Sequence, residues 1–177
     1  MPNPNKGTGA GGEMTNKNGL SYERLTDLGN KITTVKINPE YKIIKFDGNK
    51  KKFIKPKCIY KYMDKHIDKT IEKAHGCKKP DECYINKNTK TIFIIEKKFQ
   101  QRSGSVCEKI QTSDFKLWQF TRTFPKNNII YIYCLSEWYK HNCKAEIEYL
   151  DFKKVPYFWG NDKTYKDNII QFITSYK

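Results

Sequence analysis

Short apolar segments with two-residue alternation dominate the central part of the chain. Ile32–Ile37 alternates apolar and polar positions, and Tyr41–Phe46 (YKIIKF) is a second strand candidate followed by a turn at Asp47-Gly48. Asn128–Leu135 (NIIYIYCL) is apolar and β-branched, which is typical of a buried strand. A shorter strand is predicted over 155–159 (VPYFW).

The clearest hairpin of the sequence lies between these strands. Residues 83–85 form its first strand, 86–90 its turn, and 91–99 (TIFIIEKKF) its second strand. The second strand is apolar for four residues and then becomes charged. Its apolar part therefore belongs in the core, and its charged end belongs at the rim of the sheet.

Helical periodicity appears in the segments that flank the strands. Leu20, Leu25 and Leu28 predict a short helix over 20–29, and Ser105 with Glu108 matches a capping box that begins a helix running to about Phe120. Further helices are predicted over 59–71, 145–152 and 162–175. Residues 1–19 lack any period and are predicted to form a flexible Gly/Asn-rich arm. The order predicts one α/β domain of residues 1–177, with a central mixed β-sheet flanked by helices.

The charge balance suggests a polyanionic partner. The chain of 177 residues has 34 Lys and Arg against 19 Asp and Glu, for a net charge of +15, and only three of the basic residues are arginines. Such an excess attracts polyanions, and nucleic acid is the first candidate. No apolar run reaches the roughly 20 residues of a membrane helix, and no signal peptide is readable. We therefore expect no membrane partner and a cytoplasmic location.

The six cysteines do not form a recognised metal motif. None is part of a C-x-x-C, and the three histidines complete no zinc-finger spacing. We expect reduced cytosolic thiols, with Cys134 in a core strand. A zinc cluster of His75, Cys77 and Cys83 remains the alternative.

Acidic and basic side chains meet at the charged end of the hairpin. Side chains alternate along a strand, so Glu96 and Lys98 share a face with Ile94. Asp81 follows Pro80 at the entry of the partner strand, and fourteen residues separate it from Glu96, enough for the hairpin to fold back. Two converging carboxylates suit Mg²⁺, and a lysine beside them can orient water or offset charge on a phosphodiester.

The triplet of an acid, any residue and a lysine is not specific in a lysine-rich chain. Glu40/Lys42, Asp114/Lys116 and Asp151/Lys153 also have this spacing, but none has a Pro-Asp at hairpin distance upstream. On the residue pattern alone, a magnesium site and a solvated strand end closed by a salt bridge are equally good interpretations.

The wider sequence around the triplet favours the first interpretation. Asp81 with Glu96-Lys97-Lys98 resembles the PD-(D/E)XK nuclease signature. AHGCKKPDECYI, TIFIIEKKFQQRSGSVCEKIQT and the N-terminal GTGAGGEMTNKNGLSYE together resemble small Type II restriction endonucleases of that superfamily. The resemblance implies a restriction-endonuclease-like fold and Mg²⁺-dependent cleavage of double-stranded DNA at a specific short site, with Mn²⁺ as a substitute. It also implies a homodimer facing a palindromic site and a cognate DNA methyltransferase in the host.

The resemblance also assigns roles to individual residues. It implies that Asp81 and Glu96 are metal ligands, that Lys98 positions the attacking water, and that Glu23 is a helix glutamate near the metal. Glu82 is expected on the opposite face from Asp81. Gln100 would stay on the active face if its strand continued.

Residues after the hairpin are candidates for DNA contact. Gln100, Gln101, Arg102 and Ser103 precede a predicted helix N-terminus, which suits a phosphate, and arginine reads guanine bidentately. The structural alternative is a capped loop that binds nothing. A repair or structure-specific nuclease, and a basic nucleic-acid-binding protein without enzymatic activity, remain the alternative functions.

Overall fold

The central element of the fold is a seven-stranded mixed sheet. A computed structural model describes residues 13–101 and 107–177. The strands lie in the sheet in chain order, and their bounds are β1 (Ile32–Ile37), β2 (Tyr41–Phe46), β3 (Phe53–Pro56), β4 (Glu82–Asn86), β5 (Thr91–Lys98), β6 (Asn128–Leu135) and β7 (Tyr157–Trp159). Strands β1 to β5 are joined by antiparallel pairings, whereas β6 pairs parallel with both β5 and β7.

Helices cover both faces of this sheet. They are α1 (Glu13–Leu25), α2 (Ile59–His66), α3 (Glu108–Gln111), α4 (Ser113–Thr123), α5 (Glu137–Asn142), α6 (Lys144–Phe152) and α7 (Tyr165–Ser175), with a 3₁₀ turn at Leu28–Lys31. Ile92 and Ile94 of β5 pack with buried side chains of α2 to α6. Phe93 and Ile95 point the other way and pack with those of α1 and α7. The predicted single α/β fold with a mixed sheet and flanking helices is confirmed.

The predicted strands agree with the structure better than the predicted helix boundaries. The hairpin, the first two strands and β6 are where the alternation places them, but β3 and α5 were not predicted. Four residues in a lysine-rich stretch are too few to show a period, which accounts for β3. Helix α1 already begins at Glu13, so residues 13–19 are not part of a flexible arm.

The helix predicted from Ser105 differs from the observed one. Ser105 lies outside the described residues, and α3 begins at Glu108 with Cys107 as its N-cap. Thr112 then separates α3 from α4, so two helices stand in place of one.

The prediction of reduced thiols is wrong for two cysteines. Cys107 and Cys143 form a disulfide with a Cα–Cα distance of 5.5 Å, which joins the start of α3 to the start of α6. The other four cysteines are free, and Cys134 lies in the core as predicted. Within residues 13–101 and 107–177, His75, Cys77 and Cys83 do not form a cluster of metal-ligand atoms.

No helix in the described part of the chain combines the length and the apolar character that crossing a bilayer requires.

Candidate active site

The β4–β5 hairpin brings Asp81 to the charged end of β5. Glu82 pairs with Ile95, so the residue before it in the antiparallel register lies opposite Glu96. Asp81 Oδ2 accepts a hydrogen bond from the backbone N–H of Lys97 at 2.7 Å. This hydrogen bond extends the β4–β5 pairing by one position beyond the last paired residues. It holds the Asp81 carboxylate at the edge of the sheet.

Glu96 and Lys98 lie on one face of β5, as alternation predicts. Lys98 Nζ is 2.5 Å from Glu96 Oε1, and the two side chains are 26% and 21% exposed. Because both side chains are partly exposed, a ligand from solvent can reach the pair. Ile92 and Ile94, which precede the pair on the same face of β5, are buried in the core.

Helix α1 places Glu23 against the same region. Glu23 and Asp81 line one cavity of about 440 Å³, together with Leu20, Arg24, Asp27 and Lys97. The helix residue singled out in the sequence therefore lies beside the hairpin acid, although 58 positions separate them in the chain. Asp81 thus lies between Glu23, with which it shares the cavity, and the Glu96–Lys98 pair, whose charges act on its carboxyl.

The electrostatics of Asp81 show how strongly acidic this site is. Although Asp81 is exposed as a residue, its pKa is raised from 3.8 to about 6, first because its carboxyl group is partly desolvated beside the cavity and then because of the nearby negative charges of Glu96 and Glu23. The hydrogen bond from Lys97 N–H and the positive charge of Lys98 lower the pKa, but they do not offset the increase. A cation would relieve this repulsion.

Asp81 and Glu96 offer carboxylate oxygens, the type of ligand that a hard divalent cation prefers. Among the described residues, Glu23, Asp81 and Glu96 do not bring their oxygens within 4.8 Å of one another as a set of three. Asp81 and Glu96 alone are the first candidates as ligands, and Mg²⁺ typically uses one or two carboxylates while it keeps several waters. The cluster that does satisfy the distance is Cys107, Cys143 and Glu146, but its two sulfurs are bonded to each other.

The predicted DNA-contact segment is only partly described. Strand β5 ends at Lys98, so Gln100 is not held on the active face by strand alternation. Instead, its backbone N–H donates to Ser136 Oγ at 3.0 Å. Gln101 is exposed and its Oε1 accepts from Asn18 Nδ2 at 3.5 Å. Arg102 and Ser103 lie outside the described residues.

A buried ion pair beneath the site was missed in the sequence. Lys97 Nζ lies 2.8 Å from Glu82 Oε2, and both side chains are about 3% exposed or less. Glu82 pairs with Ile95 and therefore lies on the face opposite Glu96, and its ion pair with Lys97 was not predicted. The sequence does contain an indication of this ion pair. Lys97 lies two positions after Ile95, so strand alternation places its side chain on the same core-facing side.

Comparisons with protein-family models, with curated proteins and with solved structures find no match.

Proposed function

We propose that this protein is a Type II restriction endonuclease, which hydrolyses phosphodiester bonds of double-stranded DNA at a specific short site with Mg²⁺. The observation that carries the proposal is the meeting of Asp81, Glu96 and Lys98 at one strand end, with Glu23 beside them. Mn²⁺ is expected to replace Mg²⁺, since both prefer oxygen ligands.

Each residue has a task in this proposal. Asp81 and Glu96 would hold Mg²⁺, which supplies Lewis-acid polarisation of a phosphoryl oxygen. Lys98 orients the attacking water and offsets negative charge on the phosphate. The water oxygen forms a new bond to phosphorus while the bond to the leaving ester oxygen breaks. The products are a phosphomonoester and a hydroxyl.

Basic side chains next to Asp81 support DNA as the substrate. Lys57 and Lys79 are exposed, and with Lys55 they line a second, smaller cavity that Asp81 also borders. Arg24 is exposed on the side of the larger cavity. The acidic centre is thus flanked by cations on both sides, which lets a polyanion approach carboxylates that would otherwise repel it.

The proposal extends to partners and location. A palindromic site is read by two copies related by a two-fold axis, so we propose a homodimer. A cognate DNA methyltransferase in the host and a cytoplasmic location belong to the same proposal.

Digestion of a sequenced genome tests this function directly. Purified protein with Mg²⁺ should produce discrete fragments whose ends share one sequence, and EDTA should stop the reaction. Glu96→Gln keeps the shape of the side chain but removes a metal ligand, so it should abolish cutting, whereas Glu108→Gln on α3 serves as the matched control.

Other outcomes favour the alternative functions. A smear, or products confined to branched DNA, would favour a repair or structure-specific nuclease with the same chemistry. Salt-sensitive DNA binding with no products in Mg²⁺ or Mn²⁺ would favour a basic binding protein.

A further inference from the structure

Lys97 occupies an unusual place for a lysine. Its side chain is 2% exposed, on the face of β5 that packs against α1 and α7. A buried ammonium is costly unless it is paired and hydrogen-bonded. Lys97 Nζ meets both conditions: it pairs with Glu82 at 2.8 Å and donates to the backbone carbonyl of Glu23 at 2.9 Å.

The contact to Glu23 lies at the C-terminal end of α1. This helix ends at Leu25, so the Glu23 carbonyl belongs to the last turn, where carbonyls lack amide partners within the helix. It also accepts a longer hydrogen bond from Thr26 Oγ1, at 3.4 Å. The helix end also carries a partial negative charge, which favours a cation there. The Lys97 ammonium therefore acts as a cap that attaches α1 to the sheet.

The carboxylate of Glu82 has other partners besides Lys97. Its Oε1 accepts from Tyr84 Oη at 2.7 Å and from the backbone N–H of Leu28 at 3.3 Å, and Lys55 Nζ lies 3.4 Å away. Buried ion pairs contribute little net stability compared with apolar replacements of similar volume. A gain in stability therefore does not explain why a lysine is buried at position 97. Its hydrogen bond to α1, in contrast, affects where that helix lies on the sheet.

That consequence concerns two of the proposed site residues. The backbone N–H of Lys97 holds the carboxylate of Asp81, and its ammonium holds the backbone of Glu23. The two acids lie on separate elements, α1 and the entry to β4, and both line the same cavity. One residue of β5 thus contacts both of the segments that carry these acids.

We propose that Lys97 is a positioning residue that docks α1 onto the sheet and thereby holds Glu23 beside the cation site of Asp81 and Glu96. The effect on the cation rests on the proposed function, but the docking of α1 does not. Lys97 itself faces away from Glu96 and Lys98 and is assigned no contact with substrate.

The test uses a variant that removes the bond without leaving a buried charge. Lys97→Met alone would leave the Glu82 carboxylate buried without its nearest cation, so loss of folding is a risk. In the double variant Glu82→Gln/Lys97→Met, the amide oxygen can still accept from Tyr84 and Leu28. Hydrogen exchange then reports on α1 directly, and we expect its amides to lose protection about tenfold or more, while those of β5 and β6 keep theirs.

The second readout concerns Mg²⁺. In the double variant, the Mg²⁺ concentration for half-maximal DNA cleavage should rise about as much as in Glu23→Gln. Adding Glu23→Gln to the double variant should not raise this Mg²⁺ concentration further, because the Lys97 and Glu23 replacements both act through the position of Glu23. If their effects were independent, they would add. Unchanged protection of α1, or additive effects, would overturn the proposal.

Failure of the proposed function would look different. If the unaltered protein neither binds Mg²⁺ nor cleaves DNA, the nuclease assignment fails, while the exchange of α1 still decides whether Lys97 docks the helix.

Discussion

Lys98 and Glu96 form an ion pair between adjacent same-face positions of β5, at the point where the strand leaves the core. Under the proposed function, Glu96 would hold Mg²⁺, and Lys98 would orient the attacking water and offset charge on the phosphate. The ion pair places both charged groups at the same end of the strand.

Replacement of Lys98 by Met should abolish DNA cleavage but leave DNA binding nearly unchanged. The loss of one positioned cation at a phosphoryl centre typically costs a factor of 10² to 10³ or more, so we expect cleavage to fall about 100-fold or further. DNA affinity in Ca²⁺ should change little, because one of many lysines is lost. Lys36→Met on β1 is the control, and cleavage by Lys98→Met at a near wild-type rate would contradict the role of Lys98.

The raised pKa of Asp81 predicts the pH dependence of Mg²⁺ binding. The carboxyl group is protonated below its pKa of about 6 and must lose that proton to bind a cation. Mg²⁺ affinity should therefore fall about tenfold per pH unit below 6 and level off above it. Titration of Mg²⁺ at pH 5, 6, 7 and 8 tests this, and a profile that is flat across this range would argue against Asp81 as a ligand.

The same pKa predicts that Asp81 destabilises the folded protein at neutral pH. A carboxyl whose pKa is higher in the folded state than its ordinary 3.8 binds more protons when folded, so the free energy of unfolding decreases as pH rises through this interval. Asp81→Asn should stabilise the protein at pH 7.5 by at most about 1 kcal/mol, because Asp81 is exposed and solvent screens its charge.

Urea denaturation at pH 4 and pH 7.5 distinguishes the effect of the Asp81 charge from a change in stability that does not depend on pH. The gain from Asp81→Asn should shrink at pH 4, where the folded carboxyl is largely protonated. Asp64→Asn on the exposed side of α2 should give no such pH-dependent gain. An Asp81→Asn variant that is less stable than the wild type at pH 7.5 would contradict the prediction.

Lys57 and Lys79 should contribute to DNA affinity through the phosphate backbone. Each Lys→Gln replacement should weaken binding of all duplex sequences alike and reduce the slope of log affinity against log salt by about 1. Fluorescence anisotropy between 50 and 200 mM salt measures this slope. Lys36→Gln on β1 is the matched control, and equal slopes for all three variants would remove Lys57 and Lys79 from the interface.

Gly160, directly after β7, lies where Tyr22 of α1 packs closely against the sheet. A Cβ at this position would lie 2.1 Å from Tyr22 Oη and 2.8 Å from Cys134 Sγ. Overpacking of this kind typically costs 1–3 kcal/mol, so Gly160→Ala should lower the free energy of unfolding by about 2 kcal/mol. Gly19→Ala is the contrasting control: it lies within α1 with open space around its Cα, so the change should stabilise the helix by about 0.5–1 kcal/mol.

The candidate site could be predicted because its central residues are close in sequence. Glu96 and Lys98 are related by strand alternation alone, and Asp81 is related to them by one hairpin. Alternation along the strand also predicts that Glu82 points to the opposite face from Asp81. These relationships follow from backbone geometry with a period of two residues, which a single sequence displays directly.

Contacts between distant segments needed the tertiary structure. The bond from Lys97 to α1, the disulfide between Cys107 and Cys143, and the closeness of Lys57 to Asp81 each depend on how separate elements pack. No local period encodes such contacts, because each is fixed by many side chains packing at once. The sequence alone thus determined the strands other than β3, the mixed α/β class and the acidic hairpin end. Packing decided which helix faces that end and how a buried lysine fastens it there.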